Sequence, residues 1–239
     1  MPPIRDQAVV VTGATGDMGR AIAEMLAREG ARLAVSGRDG RKLVELESHL
    51  RELGAACVSG VVDVTVEDAV CDFFARAKAV LGPLDVLIHT PGLSIPGSIP
   101  AMALTDFQQM LDVNVKGAFL AAKHFAAQVD EAAGGLLINL GSMAARRANP
   151  NAPIYCATKA ALAMMDEGLA LQLAAKNVRV TTIHPGAADT QFWGTRQVPR
   201  EKFLKVDEIA EVIRFILGVP KRVVIHEIAF ESFEFFRGK

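Results

Sequence analysis

The sequence predicts an α/β fold in which a doubly wound, seven-stranded parallel sheet is flanked by helices. Short β-branched segments alternate along the chain with longer segments of helical period, which is typical of parallel strands joined by crossover helices. The 239 residues are 51% hydrophobic, enough to build a large buried core. Because no internal repeat, low-complexity tract or linker divides the chain, we expect residues 1–239 to form a single domain.

The predicted elements follow from apolar periodicity. The first helix ends at Gly30, and its apolar face, spaced i, i+4, i+7 and i+8, consists of Met18, Ile22, Met25 and Leu26. Further helices are predicted over residues 41–53, 66–80, 104–129, 154–176 and 207–217. Strands are predicted over residues 8–12, 32–36, 57–62, 86–89, 136–140, 178–184 and 222–226.

Charge and cysteine content exclude several classes of protein. The 26 Lys+Arg against 27 Asp+Glu give no global attraction to nucleic acid or to an anionic membrane, and no apolar run approaches 18 residues. Cys57, Cys71 and Cys156 form no C-x-x-C pair, which argues against a disulfide framework and favours a reducing cytoplasm. No His and acid spacing indicates a metal site.

A glycine-rich turn joins the first predicted strand to the first helix. It reads Thr12-Gly13-Ala14-Thr15-Gly16-Asp17-Met18-Gly19. Bare backbone N–H groups and the positive end of a helix dipole at such a turn can hold a pyrophosphate. The spacing G-x-x-G-x-x-G differs from the G-x-G-x-x-G fingerprint, and an ordinary tight turn is the alternative, but the flanking strand and helix favour a nucleotide site.

The end of the second predicted strand favours NADP(H) over NAD(H). In a dinucleotide-binding fold, an acidic side chain here binds the ribose hydroxyls, whereas a cation accommodates the 2′-phosphate. Arg38 offers a charged donor fork for a phosphate, and Ser36 a small hydroxyl donor. Asp39 follows, where we expect it to cap the next helix. NAD(H) is retained as the alternative cofactor.

A tyrosine and a lysine four residues apart are the strongest candidates for chemistry. Tyr155 and Lys159 share one helix face, and a neighbouring ammonium is expected to lower the pKa of the phenol from its usual ~10. Ser142 ends a predicted strand, where its hydroxyl can bind the oxygen of a carbonyl that Tyr155 protonates.

Together these motifs resemble the short-chain dehydrogenase/reductase family over about residues 8–219. The resemblance also rests on two further segments, Asp112-Val113-Asn114-Val115-Lys116-Gly117 and Pro185-Gly186-Ala187-Ala188-Asp189-Thr190. It implies a Rossmann-type NAD(P)-binding domain and an oxidoreductase that interconverts a carbonyl and a secondary alcohol. It also implies a homodimer or homotetramer acting on a small molecule.

The resemblance assigns roles to particular residues. Asn114 would support a water-mediated proton relay, Ser142 would orient the substrate, and Tyr155 would be the acid/base. Lys159 would lower the tyrosine pKa and hold the nicotinamide ribose. The expected cofactor-binding residues are Gly13, Thr15, Gly16, Asp17, Met18, Gly19, Ser36, Arg38, Asp63, Val64, His89, Gly92, Tyr155, Lys159, Pro185, Gly186 and Thr190.

Two departures from the family pattern keep alternatives open. Asp17 stands where the compact branch has glycine, and we expect it to turn away from a pyrophosphate as a first-turn helix residue. His89-Thr90-Pro91-Gly92 replaces the usual Asn-Asn-Ala-Gly. One alternative is an epimerase or dehydratase on the same cofactor fold, and another is a nucleotide-binding sensor with weak catalysis.

Aromatic residues concentrate near the carboxyl end of the chain. Trp193 and seven of the 12 phenylalanines fall after position 191. They are equally consistent with packing in the core or a subunit interface and with a lid over an apolar substrate. We place this lid segment at residues 187–206. The identity of the substrate cannot be read from the sequence.

Overall fold

A computed structural model describes residues 4–238, in which seven strands form one parallel sheet. The strands are β1 (Ala8–Thr12), β2 (Arg32–Gly37), β3 (Cys57–Val61), β4 (Val86–His89), β5 (Gly135–Leu140), β6 (Val178–Pro185) and β7 (Glu227–Phe230). Their order across the sheet is β3-β2-β1-β4-β5-β6-β7. The predicted fold class is confirmed.

Helices cover both faces of the sheet. They are α1 (Asp17–Arg28), α2 (Gly40–Glu52), α3 (Glu67–Leu81), α4 (Leu104–Leu111), α5 (Gly117–Ala126), α6 (Pro153–Leu173), α7 (Val206–Leu217) and α8 (Phe233–Phe236). Alternate residues of β1 enter different cores: Val9 and Val11 pack with α1, α2 and α7, whereas Ala8 and Val10 pack with α3 and α5. Because both faces are covered, the central strands are apolar throughout.

The last strand does not lie where the sequence placed it. The prediction was residues 222–226, but β7 is Glu227–Phe230, with Thr182 of β6 opposite Glu227. The β-branched residues before Glu227 have high strand propensity, yet propensity does not set register. The register is instead set where Ile228 and Phe230 pack against the core beside α1 and α7.

The helix predicted over residues 104–129 is interrupted. A π turn, Asp112–Lys116, separates α4 from α5 and contains the buried Asn114. Single π turns occur in helices mostly at functional positions, where they redirect a side chain. Periodicity alone could not show this turn, because it adds one residue without ending the helix.

Strands β1 and β4 pair with each other in the centre of the sheet. Because β1 also pairs with β2 on one side and β4 with β5 on the other, the strand order reverses between β1 and β4. Ligands of doubly wound sheets bind beyond the carboxyl ends of the strands at such a reversal. The loops after β1, β2, β4, β5 and β6 therefore meet at one edge of the sheet. Within residues 4–238, no helix combines the length and the apolar character that crossing a membrane requires.

Candidate active site

The glycine turn after β1 forms the wall of a groove of about 510 Å³. Gly13 adopts a φ of 71°, a region that favours glycine, and a Cβ there would lie 2.7 Å from Thr90 Oγ1. The groove is lined by these expected cofactor-binding residues: Gly13, Thr15, Gly16, Asp17, Met18, Gly19, Arg38, Asp63, Val64, Gly92 and Thr190. A glycine-lined turn that opens a helix beside such a groove fits a dinucleotide.

Two cations reach the end of the groove that follows β2. Arg38 and Lys42 both line it, and sequence reasoning did not single out Lys42. Its position in the first turn of α2, four residues after Arg38, was the available signal. Asp39 caps that helix, as expected: its Oδ1 accepts hydrogen bonds from the backbone N–H groups of Arg41 (3.0 Å) and Lys42 (3.2 Å).

Asp63 lies across the groove, after β3. Its carboxylate accepts hydrogen bonds from the backbone N–H (2.9 Å) and the hydroxyl (2.7 Å) of Thr65. These bonds, with a weaker contribution from the charge of Arg38, lower the pKa of Asp63. The groove is therefore lined by an ionised carboxylate as well as by the two cations.

Two residues expected to bind cofactor point elsewhere. Ser36 is fully buried, and within residues 4–238 its Oγ has no hydrogen-bond partner. His89 is 2% exposed, and its Nδ1 lies 2.8 Å from Thr12 Oγ1. Neither residue lines the groove, because these side chains leave their strands toward covered interior. Their contact with a cofactor stays a prediction. Burial lowers the pKa of His89 to about 3, so the ring is neutral.

Asp17 lies in the first turn of α1, as expected, but it lines the groove instead of turning away from it. Its Oδ2 accepts a hydrogen bond of 2.5 Å from the backbone N–H of Gln191, at the start of the short 3-10 turn Gln191–Trp193. Sequence reasoning did not foresee this partner, since 174 residues separate the two.

A larger cavity of about 1040 Å³ lies beside the groove. Ser142, Tyr155 and Lys159 line it, together with Pro185 and Gly186. The two spaces share the lining residues Met18, Thr90, Gly92, Thr190 and Phe192. A ligand in the groove can therefore reach Ser142, Tyr155 and Lys159, whereas Asn114 is buried and lines neither space.

Ser142 and Tyr155 both line this cavity, and the Ser142 side chain acts to lower the pKa of the phenol. Ser142 also accepts a hydrogen bond from the backbone N–H of Ala144 (3.1 Å), which fixes its side chain at the end of β5. Burial raises the pKa of Tyr155 to about 12, with the Ser142 side chain acting in the opposite direction. At neutral pH the tyrosine therefore holds its proton.

The sequence predicts that Lys159 lowers the pKa of Tyr155, and this prediction is wrong, because the pKa is raised and Lys159 does not contribute to the shift. Its ammonium donates a hydrogen bond to the carbonyl oxygen of Leu140 (2.7 Å) and lies 6.0 Å from the centroid of the Tyr155 ring. Lys159 is 2% exposed, and burial lowers its pKa to about 8. Desolvation outweighs the charge of Asp166, which acts to raise it.

Asp166 is a buried acid that sequence reasoning missed. It lies seven residues after Lys159 on α6, is 3% exposed, and accepts hydrogen bonds from the Asn139 amide (2.7 Å) and the Thr182 hydroxyl (2.6 Å). Burial raises its pKa to about 6. The signal available was an acid two helical turns after Lys159, on the same face.

Asn114 joins three parts of the site. Its Oδ1 accepts from the backbone N–H of Leu93 (2.7 Å), and its Nδ2 donates to the Leu93 carbonyl (2.8 Å) and to Thr158 Oγ1 (2.9 Å). The π turn thus holds the loop after β4 against α6, the helix that carries Tyr155.

Aromatic rings continue from the tyrosine into the lid segment. Phe192 lies 5.9 Å from Tyr155 and 5.6 Å from Trp193, measured between ring centroids. Trp193 packs on Phe203 (5.1 Å), and Phe203 on Phe235 (5.4 Å). Within the described residues, no group of three or more His, Cys, Asp or Glu side chains could hold a metal ion.

Comparison with known proteins agrees with this geometry. Residues 7–200 match the family model described as short chain dehydrogenase. An uncharacterised oxidoreductase of Staphylococcus aureus strain MRSA252 is 34% identical over 228 residues, which cover 95% of this chain and 98% of that protein.

Solved structures are similar over nearly the whole chain. An alcohol dehydrogenase from the archaeon Thermococcus sibiricus, complexed with 5-hydroxy-NADP, is 31% identical with a TM-score of 0.87, covering 95% of this chain and 96% of that one. A 7α-hydroxysteroid dehydrogenase complexed with NADH and 7-oxo glycochenodeoxycholic acid is 25% identical with a TM-score of 0.89, covering 97% and 96%. The chain belongs to the short-chain dehydrogenase family of oxidoreductases.

Proposed function

We propose that the protein is an NADP(H)-preferring oxidoreductase that interconverts a carbonyl and a secondary alcohol. The observation that carries this proposal is the placement of Ser142, Tyr155 and Lys159 in one cavity that shares lining residues with the glycine-lined groove. A proton donor and an orienting hydroxyl thus lie together beside a nucleotide-sized space.

The chain's own residues bind, orient and move a proton. The nicotinamide cofactor, when bound, supplies or accepts the hydride. In the reductive direction Tyr155 donates its phenolic proton to the carbonyl oxygen, and the Ser142 hydroxyl orients that oxygen. The raised pKa of Tyr155 keeps the phenol protonated for this step.

Lys159 and Asn114 act around this pair. Lys159 holds the ribose of the nicotinamide and presents a positive charge that stabilises a phenolate after proton transfer. Asn114 keeps the loop after β4 and helix α6 in place, through Leu93 and Thr158, and supports the relay that returns a proton to Tyr155.

Arg38 and Lys42 support a preference for NADP(H). Both line the groove after β2, where the 2′-phosphate of NADP(H) is expected, and a phosphate there receives two positive charges. The Thermococcus relative was crystallised with an NADP derivative. The NADH complex of the 7α-hydroxysteroid dehydrogenase keeps NAD(H) as the alternative.

The cavity favours a bulky, largely apolar carbonyl compound. Its walls include Met143, Phe192, Trp193, Val198 and Phe235. We propose that the lid segment covers such a substrate and that residues 1–239 act as one domain. The steroid ligand of the 7α-hydroxysteroid dehydrogenase is of this class.

We also propose a homodimer or homotetramer in a reducing cytoplasm. Phe119 on α5 and Met164 and Leu171 on α6 are 47%, 66% and 83% exposed, and apolar side chains at this exposure favour a subunit contact. All three cysteines are free thiols. Light scattering on purified protein measures the assembly directly.

A carbonyl screen with NADPH and NADH in parallel tests the proposed function. We expect absorbance of the reduced nicotinamide to fall in step with alcohol formation, and Tyr155→Phe to lower kcat by roughly 10²–10⁴-fold while NADPH affinity stays within a few-fold. Product formation without a net change in absorbance would support an epimerase or dehydratase instead. Equal turnover by Tyr155→Phe would contradict the assignment of the acid.

A further inference from the structure

Asp17 connects the glycine turn to the lid segment across the nucleotide groove. Its Oδ2 accepts the backbone N–H of Gln191 at 2.5 Å. Asp17, Gln191 and Phe192 all line the groove, and Phe192 also lines the larger cavity. The bond therefore spans the boundary between the groove and the larger cavity.

Other contacts of this turn arise inside the lid segment itself. Trp193 Nε1 donates to the Ala188 carbonyl (2.7 Å), Arg196 Nε donates to the Trp193 carbonyl (2.8 Å), and the Arg196 guanidinium lies 5.0 Å from the Trp193 ring. They stiffen the segment without fixing it to the opposite wall. The Asp17 bond reaches that wall, and the next residue, Phe192, packs on Tyr155.

We propose that Asp17 is a positioning residue whose carboxylate latches the lid segment, so that Phe192 is held against Tyr155. An acceptor on α1 is needed for this, and glycine at position 17 would supply none. A carboxylate forms the stronger, charge-assisted hydrogen bond. The cost is a negative charge beside the expected pyrophosphate, which the latch and the N-terminus of α1 partly compensate.

Trp193 reports on the latch without any substrate. It is the only tryptophan of the chain, so acrylamide quenching of its fluorescence measures opening of the lid segment alone. We expect Asp17→Ala to raise the quenching constant about twofold or more, and trypsin to cut after Arg196 several-fold faster. Asp17→Asn keeps an amide oxygen that can accept the same N–H. We therefore expect its quenching constant and its rate of cleavage by trypsin to match those of the parent protein.

NADP⁺ titration separates the latch from simple loss of charge. Both variants remove the negative charge, so a purely electrostatic role changes NADP⁺ affinity equally in the two. The latch predicts that Asp17→Ala binds NADP⁺ about threefold or more weakly than Asp17→Asn, because only the alanine variant releases the segment. Asp68→Ala, which removes a first-turn acid from α3, is the matched control and should leave both readouts unchanged.

The effect on turnover rests on the proposed function, whereas quenching, proteolysis and NADP⁺ binding do not. With a carbonyl compound from the screen, we expect Asp17→Ala to raise KM more than Asp17→Asn does, because only the alanine variant releases the lid segment. Equal quenching and equal NADP⁺ affinity in the two variants would overturn the latch. Thermal unfolding of each variant ensures that folded protein is compared.

Discussion

The ammonium of Lys159 is bonded to the carbonyl oxygen of Leu140, and not to the hydroxyl of Tyr155, although the two residues share a face of α6. Tyr155 is half-buried and lines the cavity, Lys159 is buried, and burial favours the neutral form of both groups. At neutral pH the phenol is protonated, and the ammonium loses its proton at a lower pH than an exposed lysine does.

Tyr155 is expected to titrate late. Burial raises its pKa to about 12 from 10.0. Between pH 10 and pH 12 the folded protein therefore keeps a proton that the unfolded chain has released. Stability from this group is complete below pH 10 and is lost as the pH rises toward 12. Because Tyr155 is the only tyrosine, absorbance near ~295 nm with Tyr155→Phe as the blank follows it directly. A midpoint near 10 in the folded protein would contradict the burial argument.

Lys159→Met is expected to stabilise the protein while removing its activity. Burial lowers the pKa of Lys159 to about 8 from 10.5, so below pH 8 the folded state carries the full cost of a buried charge. That cost is on the order of 3 kcal/mol and is relieved as the pH rises through this window. Urea unfolding at pH 7 should show a gain of up to a few kcal/mol, and the exposed Lys176→Met is the control. A lower free energy of unfolding for Lys159→Met at pH 7 would contradict the argument that the buried charge of Lys159 destabilises the fold.

Asp166→Asn is expected to move the alkaline limb of the pH profile. The Asp166 charge raises the pKa of Lys159, and an amide removes that charge while keeping polar groups near Asn139 and Thr182. Lys159 then loses its proton at lower pH. The pH at which kcat/KM falls on the alkaline side should therefore be lower by about one pH unit. An unchanged limb together with reduced stability would assign Asp166 a purely structural role.

Arg38→Ala is expected to weaken NADPH binding by about tenfold or more and to leave NADH affinity within about twofold. Lys42→Ala should give a smaller loss of the same sign. Arg41→Ala is the matched control, because Arg41 is a neighbouring exposed cation that does not line the groove. Replacing Gly37 by an acidic residue is not expected to produce a preference for NADH, because the Cβ of the new side chain would lie 2.5 Å from Thr15 Oγ1. Equal losses for both cofactors would remove the 2′-phosphate assignment.

Local spacing explains which parts of the site were predictable. The glycine turn, the cap at Asp39 and the shared face of Tyr155 and Lys159 are each set by residues within about one or two turns of chain. Six strands also follow from local apolar runs. The sheet order places the groove, because ligands bind where strand order reverses.

The remaining features depend on contacts between distant segments. The His89–Thr12 contact, the register of β7 and the Asp17–Gln191 bond each involve partners that periodicity does not reveal. The pKa of Tyr155 likewise depends on how deeply the ring is buried, which spacing to a lysine cannot show.

The direction of the Asn114 side chain depends on the extra residue that the π turn accommodates. Deleting one residue from Asp112–Lys116 would restore a uniform α-helix and remove the wider turn that sets this direction, while α4 and α5 keep nearly the same relation. Leu93 and Thr158 would then no longer both meet the amide of Asn114. Evolution of this segment is therefore constrained in length as well as in residue type, and substitutions are tolerated there more easily than insertions or deletions.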